Sequence, residues 1–192
     1  MLDPFGIRDV CNKVNTTAPP LARYAQWYVK YYGFLYYVMK EFGFRVALEC
    51  GVYSGIATEH MIESNPGSFV IGIDIDFQPQ YLEVYTRHPD NVVFVCADTT
   101  NESTFNRVGE LLEGRTVDLL FIDSEHDGVT PMKEFQLYSQ YLSPHALVCC
   151  DDINDPRMKA FWEWLPGTKI RVDDMHMVGN QSVGFGVSIC HK

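Results

Sequence analysis

Six acidic residues stand at the carboxyl ends of short apolar runs: Glu49 in VALECGVYSG, Asp74 in VIGIDID, Asp98 in VCADTT, Asp123 in LLFIDSEHDG, and Asp151 and Asp152 in LVCCDDIND. An acid that closes an apolar strand is held at the sheet edge where ligands of open α/β sheets bind. Gly51 and Gly55 follow Glu49 and let the backbone pass close to a ligand, beside the free N–H groups that open the next helix. A pyrophosphate site would want G-x-G-x-x-G, with glycine where Tyr53 stands, and Glu49 would repel phosphate. The turn suits a ligand that carries an ammonium or a sulfonium, and S-adenosylmethionine has both. Asp74, about 20 residues beyond the glycine turn, is placed to accept both hydroxyl hydrogens of a ribose. Asp98 is placed to meet an adenine amino group.

A second chemistry is available at the last two runs. Neighbouring strands lie ~4.8 Å apart, so Asp123, Asp151 and Asp152 can converge on one hard cation, Mg2+ or alternatively Mn2+ or Ca2+. His126, three residues after Asp123, can take a hydroxyl proton near neutral pH. Local turn capping is the alternative use of these acids, and a solvated loop the alternative setting for His126. Glu59, His60 and Glu63 share one predicted helix, but H-E-x-x-H is absent and they read as a solvated face. Ser54 and Ser124 lack the G-x-S-x-G elbow of hydrolases. Met175, His176 and Met177 are candidates to line an acceptor pocket.

These residues need a parallel sheet to bring them together. Five runs, RVALEC, FVIGIDI, NVVFVCA, VDLLFID and ALVCCDD, read as strands, with helices at 55–64, 78–87, 101–113 and 128–141 between them. The layout is a doubly wound α/β sheet. A further helix is expected in DPRMKAFWEWL, with Asp155 as cap and Pro156 at its first position. TKIRVDDMHMV and SVGFGVSIC then flank residues 179–181 as a hairpin. Residues 1–44 form a helical extension in which Tyr24, Trp27, Tyr28, Tyr31, Tyr32, Leu35 and Val38 recur at helical steps. That aromatic helix is a packing element, a lid over the cleft, or a homo-oligomer surface.

LECGVYSG resembles the first motif of the class I S-adenosylmethionine-dependent methyltransferases, and in particular the E-x-G-x-Y-x-G form of catechol-type O-methyltransferases; GIDID resembles their second motif. The resemblance runs from about residue 45 to 190 in the order of elements. It implies a mostly parallel seven-stranded sheet of order 3-2-1-4-5-7-6 and a cofactor site at Glu49, Gly51, Tyr53, Gly55, Asp74, Asp98 and Asp123. The catechol type uses an acid and an Asp-Asn pair on its metal, with a lysine three residues after the first acid as base. Here Asp152 stands for that Asn and His126 for that Lys, and Asp123 to His126 resembles the D-x-x-H motif of macrolide- and cephalosporin-pathway relatives. The implied catalytic pair is Asp123 and His126. A metal-independent transferase and a silent cofactor-binding protein are the rival readings.

Composition narrows the partners. The 192 residues suit one domain with a sizeable core, and a net charge of −10 argues against nucleic acid and anionic membranes as partners. A small-molecule hydroxyl is the expected substrate. No run approaches the ~20 apolar residues of a membrane span, and the N-terminus lacks a signal-peptide layout, so a cytoplasmic location is expected. Cys11, Cys50, Cys96, Cys149, Cys150 and Cys190 have no metal or disulfide spacing and read as reduced, buried thiols.

Overall fold

The computed structural model describes residues 4–190. Two helices come first, α1 (Pro4–Thr16) and α2 (Lys30–Phe42), with a 3-10 turn, Ala22–Trp27, between them. Strands and helices then alternate: β1 (Val46–Cys50), α3 (Ile56–Glu63), β2 (Phe69–Asp74), α4 (Tyr81–Arg87), β3 (Val92–Cys96), α5 (Glu102–Leu112), β4 (Val117–Ile122), α6 (Thr130–Tyr138) and β5 (Leu142–Asp151). The chain ends with α7 (Lys159–Trp164), β6 (Thr168–Arg171), β7 (Met177–Val178), β8 (Gln181–Ser182) and β9 (Phe185–Ile189).

The main sheet has seven strands in the order β3-β2-β1-β4-β5-β9-β6. Strands β1 to β5 pair in parallel, and β9 runs antiparallel to both β5 and β6. This is the expected order, with one addition. The hairpin between β6 and β9 carries its own two-stranded ribbon, in which Val178 faces Gln181 across a Gly179-Asn180 turn.

Alternation along each strand divides the core between two faces. Ala47, Leu119, Phe121, Leu147 and Cys149 meet residues of α1, α2 and α3, whereas Leu48, Cys50, Leu120, Ile122 and Val148 meet α5, α6 and α7. Every residue of β1, Glu49 included, is buried. A strand covered on both faces has no polar side, so its one acid must be functional or costly.

Two helical expectations are corrected. The aromatic segment is not one helix: Tyr28 and Val29 are extended, and the Tyr28 ring folds back so that its hydroxyl would lie 1.9 Å from a Cβ at Gly33. Gly33 is the residue that permits this packing. Asp155 and Pro156 do not open α7 either. The Asp155 carboxylate accepts from Arg157 N at 2.8 Å, closing a separate turn, and the helix starts at Lys159. All six cysteines are free, but Cys96 is exposed and Cys11 only half-buried, because each lies outside the covered centre of the sheet. Among the described residues, no helix is long and apolar enough to cross a membrane.

Candidate active site

The chain leaves β1 toward β2 and β3, then returns to the other side of β1 for β4 and β5. That reversal opens a crevice at the carboxyl ends of β1 and β4. A cleft of about 520 Å3 occupies it, and Glu49, Gly51, Tyr53, Asp74, Asp98, Asp123 and His126 all line it. Gly55 caps α3 beside it, at φ 80°.

Glycine is required at position 51 for a reason the sequence did not show. Its φ is +87°, and a Cβ there would lie 2.1 Å from the Asp123 carbonyl oxygen. Gly51 N donates to Ile73 O at 2.9 Å and Asp123 N to Cys50 O at 2.8 Å, so β1, β2 and β4 meet at this residue. The Asp123 backbone just past β4 fills the space a side chain would take, and Gly51 also lines the cleft. Tyr53, at φ 51°, lines the cleft and is largely exposed.

Asp74 holds the turn. Its Oδ2 accepts from Val52 N and Tyr53 N, both at 2.8 Å, and its Oδ1 accepts from Asp76 N at 3.0 Å. A carboxylate has about four lone-pair sites, so about one remains toward the cleft. Asp98 Oδ1 accepts from Thr100 N and Oγ1 at 2.7 and 2.8 Å, which lowers its pKa. Glu49 is 1% exposed and accepts from the Thr58 hydroxyl; no basic side chain reaches it among the described residues. Burial raises its pKa well above the carboxylate range, and Asp123 and Asp74 add to that rise.

The three acids of the expected cation site fall into two groups that share Asp152. Asp123, His126 and Asp152 converge, as do Asp151, Asp152 and His176. His126 Nδ1 lies 3.0 Å from Asp152 and its Nε2 3.6 Å from Asp123. His176 Nδ1 lies 2.8 and 2.7 Å from the two oxygens of Asp151. Asp152 reaches this position at φ 54°, in the left-handed region that non-glycine residues rarely adopt, and strain of that kind collects at functional sites.

The charges follow from the contacts. The carboxylates of Asp123 and Asp152 beside the ring favour its charged form and push the His126 pKa up to about 10. Burial raises the Asp123 carboxyl, with Asp151 and Asp152 adding to it. The contact geometry favours imidazolium and carboxylate, and we place the proton on His126. Burial lowers the pKa of His176, but the bond to Asp151 outweighs it and the net direction is upward.

Several contributors were not legible as site residues. Tyr31, from α2, directs its hydroxyl to Asp123 Oδ2 at 3.4 Å and stacks on Phe185 at 5.5 Å, while Tyr32 joins it on the cleft wall. The aromatic periodicity located both residues but not their target. Glu59, expected on a solvated face, is fully buried among Arg23, Arg87, His88 and Tyr24, because α2 and α4 cover α3. Of the hairpin trio, Met175 is buried in the core and Met177 is exposed, leaving His176 as the member that meets the acids.

The sheet order, the antiparallel β9 and the acid-lined cleft at the switch point define the class I methyltransferase fold. A family model described as a methyltransferase domain matches residues 48–153, more than half of the chain, and the chain belongs to that family. Solved structures agree in fold. The O-methyltransferase TomG of Streptomyces achromogenes, involved in tomaymycin synthesis and solved with SAM, superposes with a TM-score of 0.65 at 15% identity over 100% of this chain and 92% of that one. An O-methyltransferase of Bacillus cereus solved with SAH gives 0.66 at 16% identity, over 99% and 92%. A curated relative, the uncharacterized protein R132 of Acanthamoeba polyphaga mimivirus, is 28% identical over 117 residues, 57% of this chain and 52% of that protein. The chain thus spans about half the length of that relative.

Proposed function

We propose that this chain transfers a methyl group from S-adenosylmethionine to a hydroxyl of a small molecule, assisted by a divalent cation such as Mg2+. The observation that carries the reading is Glu49: a buried carboxylate on the cleft whose hydrogen-bond donor is a neutral hydroxyl. Burial keeps this acid neutral, and a cationic ligand is what would favour its carboxylate form. The SAM and SAH held by TomG and the Bacillus cereus protein support this choice.

When bound, S-adenosylmethionine supplies an electrophilic methyl on a sulfonium. Gly51, Tyr53 and Gly55 shape the turn that receives it, Glu49 opposes its positive charge, Asp74 offers its remaining lone pair to the ribose, and Asp98 faces the base. Asp123 lies where cofactor and acceptor sites adjoin. The main work of these residues is alignment, which is worth several kcal/mol of barrier.

The donors suit a hard cation: Asp123 and Asp152 converge beside His126, whose Nε2 is buried without a hydrogen-bond partner, and Asp151 joins Asp152 in the adjoining group with His176. A divalent ion at these carboxylates would supply Lewis acidity and lower the pKa of an acceptor hydroxyl. His126, which holds its own proton while Asp123 and Asp152 alone face it, would be neutral and able to take the acceptor proton only with an ion at those carboxylates. Six free cysteines accord with a reducing compartment, and we place the activity in the cytoplasm.

One observation favours a metal-independent variant. His126 and His176 already set positive charge against the acids, as an ion would. Methyl transfer to a panel of phenols, sugars and hydroxy acids, with added Mg2+ and then with excess chelator, decides between the two. Loss of turnover in chelator and its return with Mg2+ is expected; full turnover in chelator, with no ion-dependent rise in melting temperature, would leave the metal-independent form. Failure to bind S-adenosylhomocysteine would reject both.

A further inference from the structure

Glu134 lies on the buried stripe of α6 with Pro131, Phe135 and Tyr138, and none of its surface is exposed. Its Oε1 accepts two hydroxyl protons, from Thr99 Oγ1 at 2.5 Å and from Ser124 Oγ at 2.6 Å. Its Oε2 is buried with no partner. Burial raises its pKa to about 7, against the two hydroxyls that lower it. A half-satisfied buried acid is expensive. Its two partners, however, come from the ends of different strands, and both line the cleft.

A hydroxyl has one proton and two lone pairs. With both protons committed to Glu134, Thr99 and Ser124 have only lone pairs left for a ligand. Asp98 treats Thr100 in the same way, taking its hydroxyl proton at 2.8 Å. The side-chain oxygens at this end of the cleft are therefore all acceptors. Protonation of Glu134 does not alter this, because a proton on Oε2 leaves Oε1 accepting.

We propose that Glu134 is a specificity-determining positioning residue: by holding the protons of Thr99 and Ser124, it makes the base end of the cleft select a purine with an exocyclic amino group over one with a carbonyl there. The inference rests on the S-adenosylmethionine reading and adds to it the residue that sets the polarity of the base site. An amino group donates to the fixed lone pairs. A carbonyl meets lone pair with lone pair, and a site built for a hydrogen bond rejects a ligand that cannot make it.

The test is titration calorimetry with S-adenosylhomocysteine and with S-inosylhomocysteine, in which an oxo group replaces the amino group. Wild type should prefer the adenosyl compound by at least about tenfold, a ratio one lost hydrogen bond can produce. Glu134→Leu frees both hydroxyls to donate, and the preference should collapse to within about threefold. Glu134→Gln keeps an acceptor oxygen and should retain most of the preference. Should Glu134→Leu not fold, Ser124→Ala removes one reader without disturbing the buried helix, and the preference should fall. Equal binding of the two compounds by wild type, or an unchanged ratio in the folded Glu134→Leu or Ser124→Ala protein, overturns the proposal. If wild type binds neither compound, the cofactor reading fails and this inference fails with it.

Discussion

Replacing Glu59 by Gln should cost this protein a large part of its stability, in a way that depends on pH. The carboxylate is fully buried and faces Arg87 at 2.6 and 2.9 Å, Arg23 at 2.9 Å and His88 at 2.9 Å, with the Tyr24 hydroxyl also donating to it. Burial alone would raise its pKa, but the bonds from Arg87, Tyr24, Arg23 and His88 outweigh it and pull the value from 4.5 to about 2. A carboxylate depressed that far contributes about 3 kcal/mol at pH 7. Because the folded value is the lower one, the contribution is full above pH 4.5 and disappears as pH falls through 2. At pH 3 about 1.4 kcal/mol should remain. For a chain of this size, ~3 kcal/mol corresponds to a fall of about 6–12 °C in melting temperature. Urea unfolding of wild type and Glu59→Gln at pH 7 and pH 3 reads the difference. A melting temperature lowered by less than about 2 °C at neutral pH, or a stability gap as wide at pH 3 as at pH 7, would refute the reasoning.

Gly51→Ala should destabilise by more than about 2 kcal/mol, since it combines left-handed strain with a backbone clash; Gly67→Ala, at φ +77° with open space around it, should lose only about 1 kcal/mol and is the control for strain alone. Asp74→Ala should lower S-adenosylhomocysteine affinity at least about tenfold and also lower the melting point, because it strands the Val52 and Tyr53 amides; unchanged affinity in a folded variant would remove Asp74 from the site. His126, with its pKa raised to about 10, should keep its imidazole proton through pH 8 in chelator-treated protein. An NMR titration that shows it neutral at pH 8 would show that Asp123 and Asp152 do not hold it as described.

The sheet order and the strand-end acids were legible in the sequence because one strong signal carried both. Strands buried on both faces read as uninterrupted apolar runs, and an acid at the end of such a run can hardly be placed by accident. What the sequence hid depended on contacts between distant segments. Nothing near Glu59 announces that Arg23 and Arg87, each far along the chain, will close over it. Glu134 could have been found, since it sits three and four residues from Pro131 and Tyr138 on an apolar helical stripe where an acid is out of place. The partnership of His176 with Asp151 depends on the β7–β8 ribbon, whose two-residue strands leave no periodicity to read.

The two classes of buried acid in this chain also bear on each other. Glu59 shows what the fold does with a buried carboxylate whose purpose is structural: it surrounds the acid with two guanidiniums, a histidine and a phenol, and its pKa falls. Glu49 is as deeply buried, on the neighbouring strand, and its hydrogen-bond donor is the Thr58 hydroxyl; its pKa rises. Arg23 and Arg87 both reach α3, where Thr58 and Glu59 are adjacent in sequence, so basic residues are available in that region and are spent on the structural acid. An acid left without a counter-charge, on the wall of a cleft and two residues before Gly51, is destabilising until something cationic enters. The contrast between Glu49 and Glu59 accords with the proposed function, in which a ligand's positive charge completes the site. It also implies that such a ligand should raise the melting temperature of wild type by more than that of a Glu49→Gln variant.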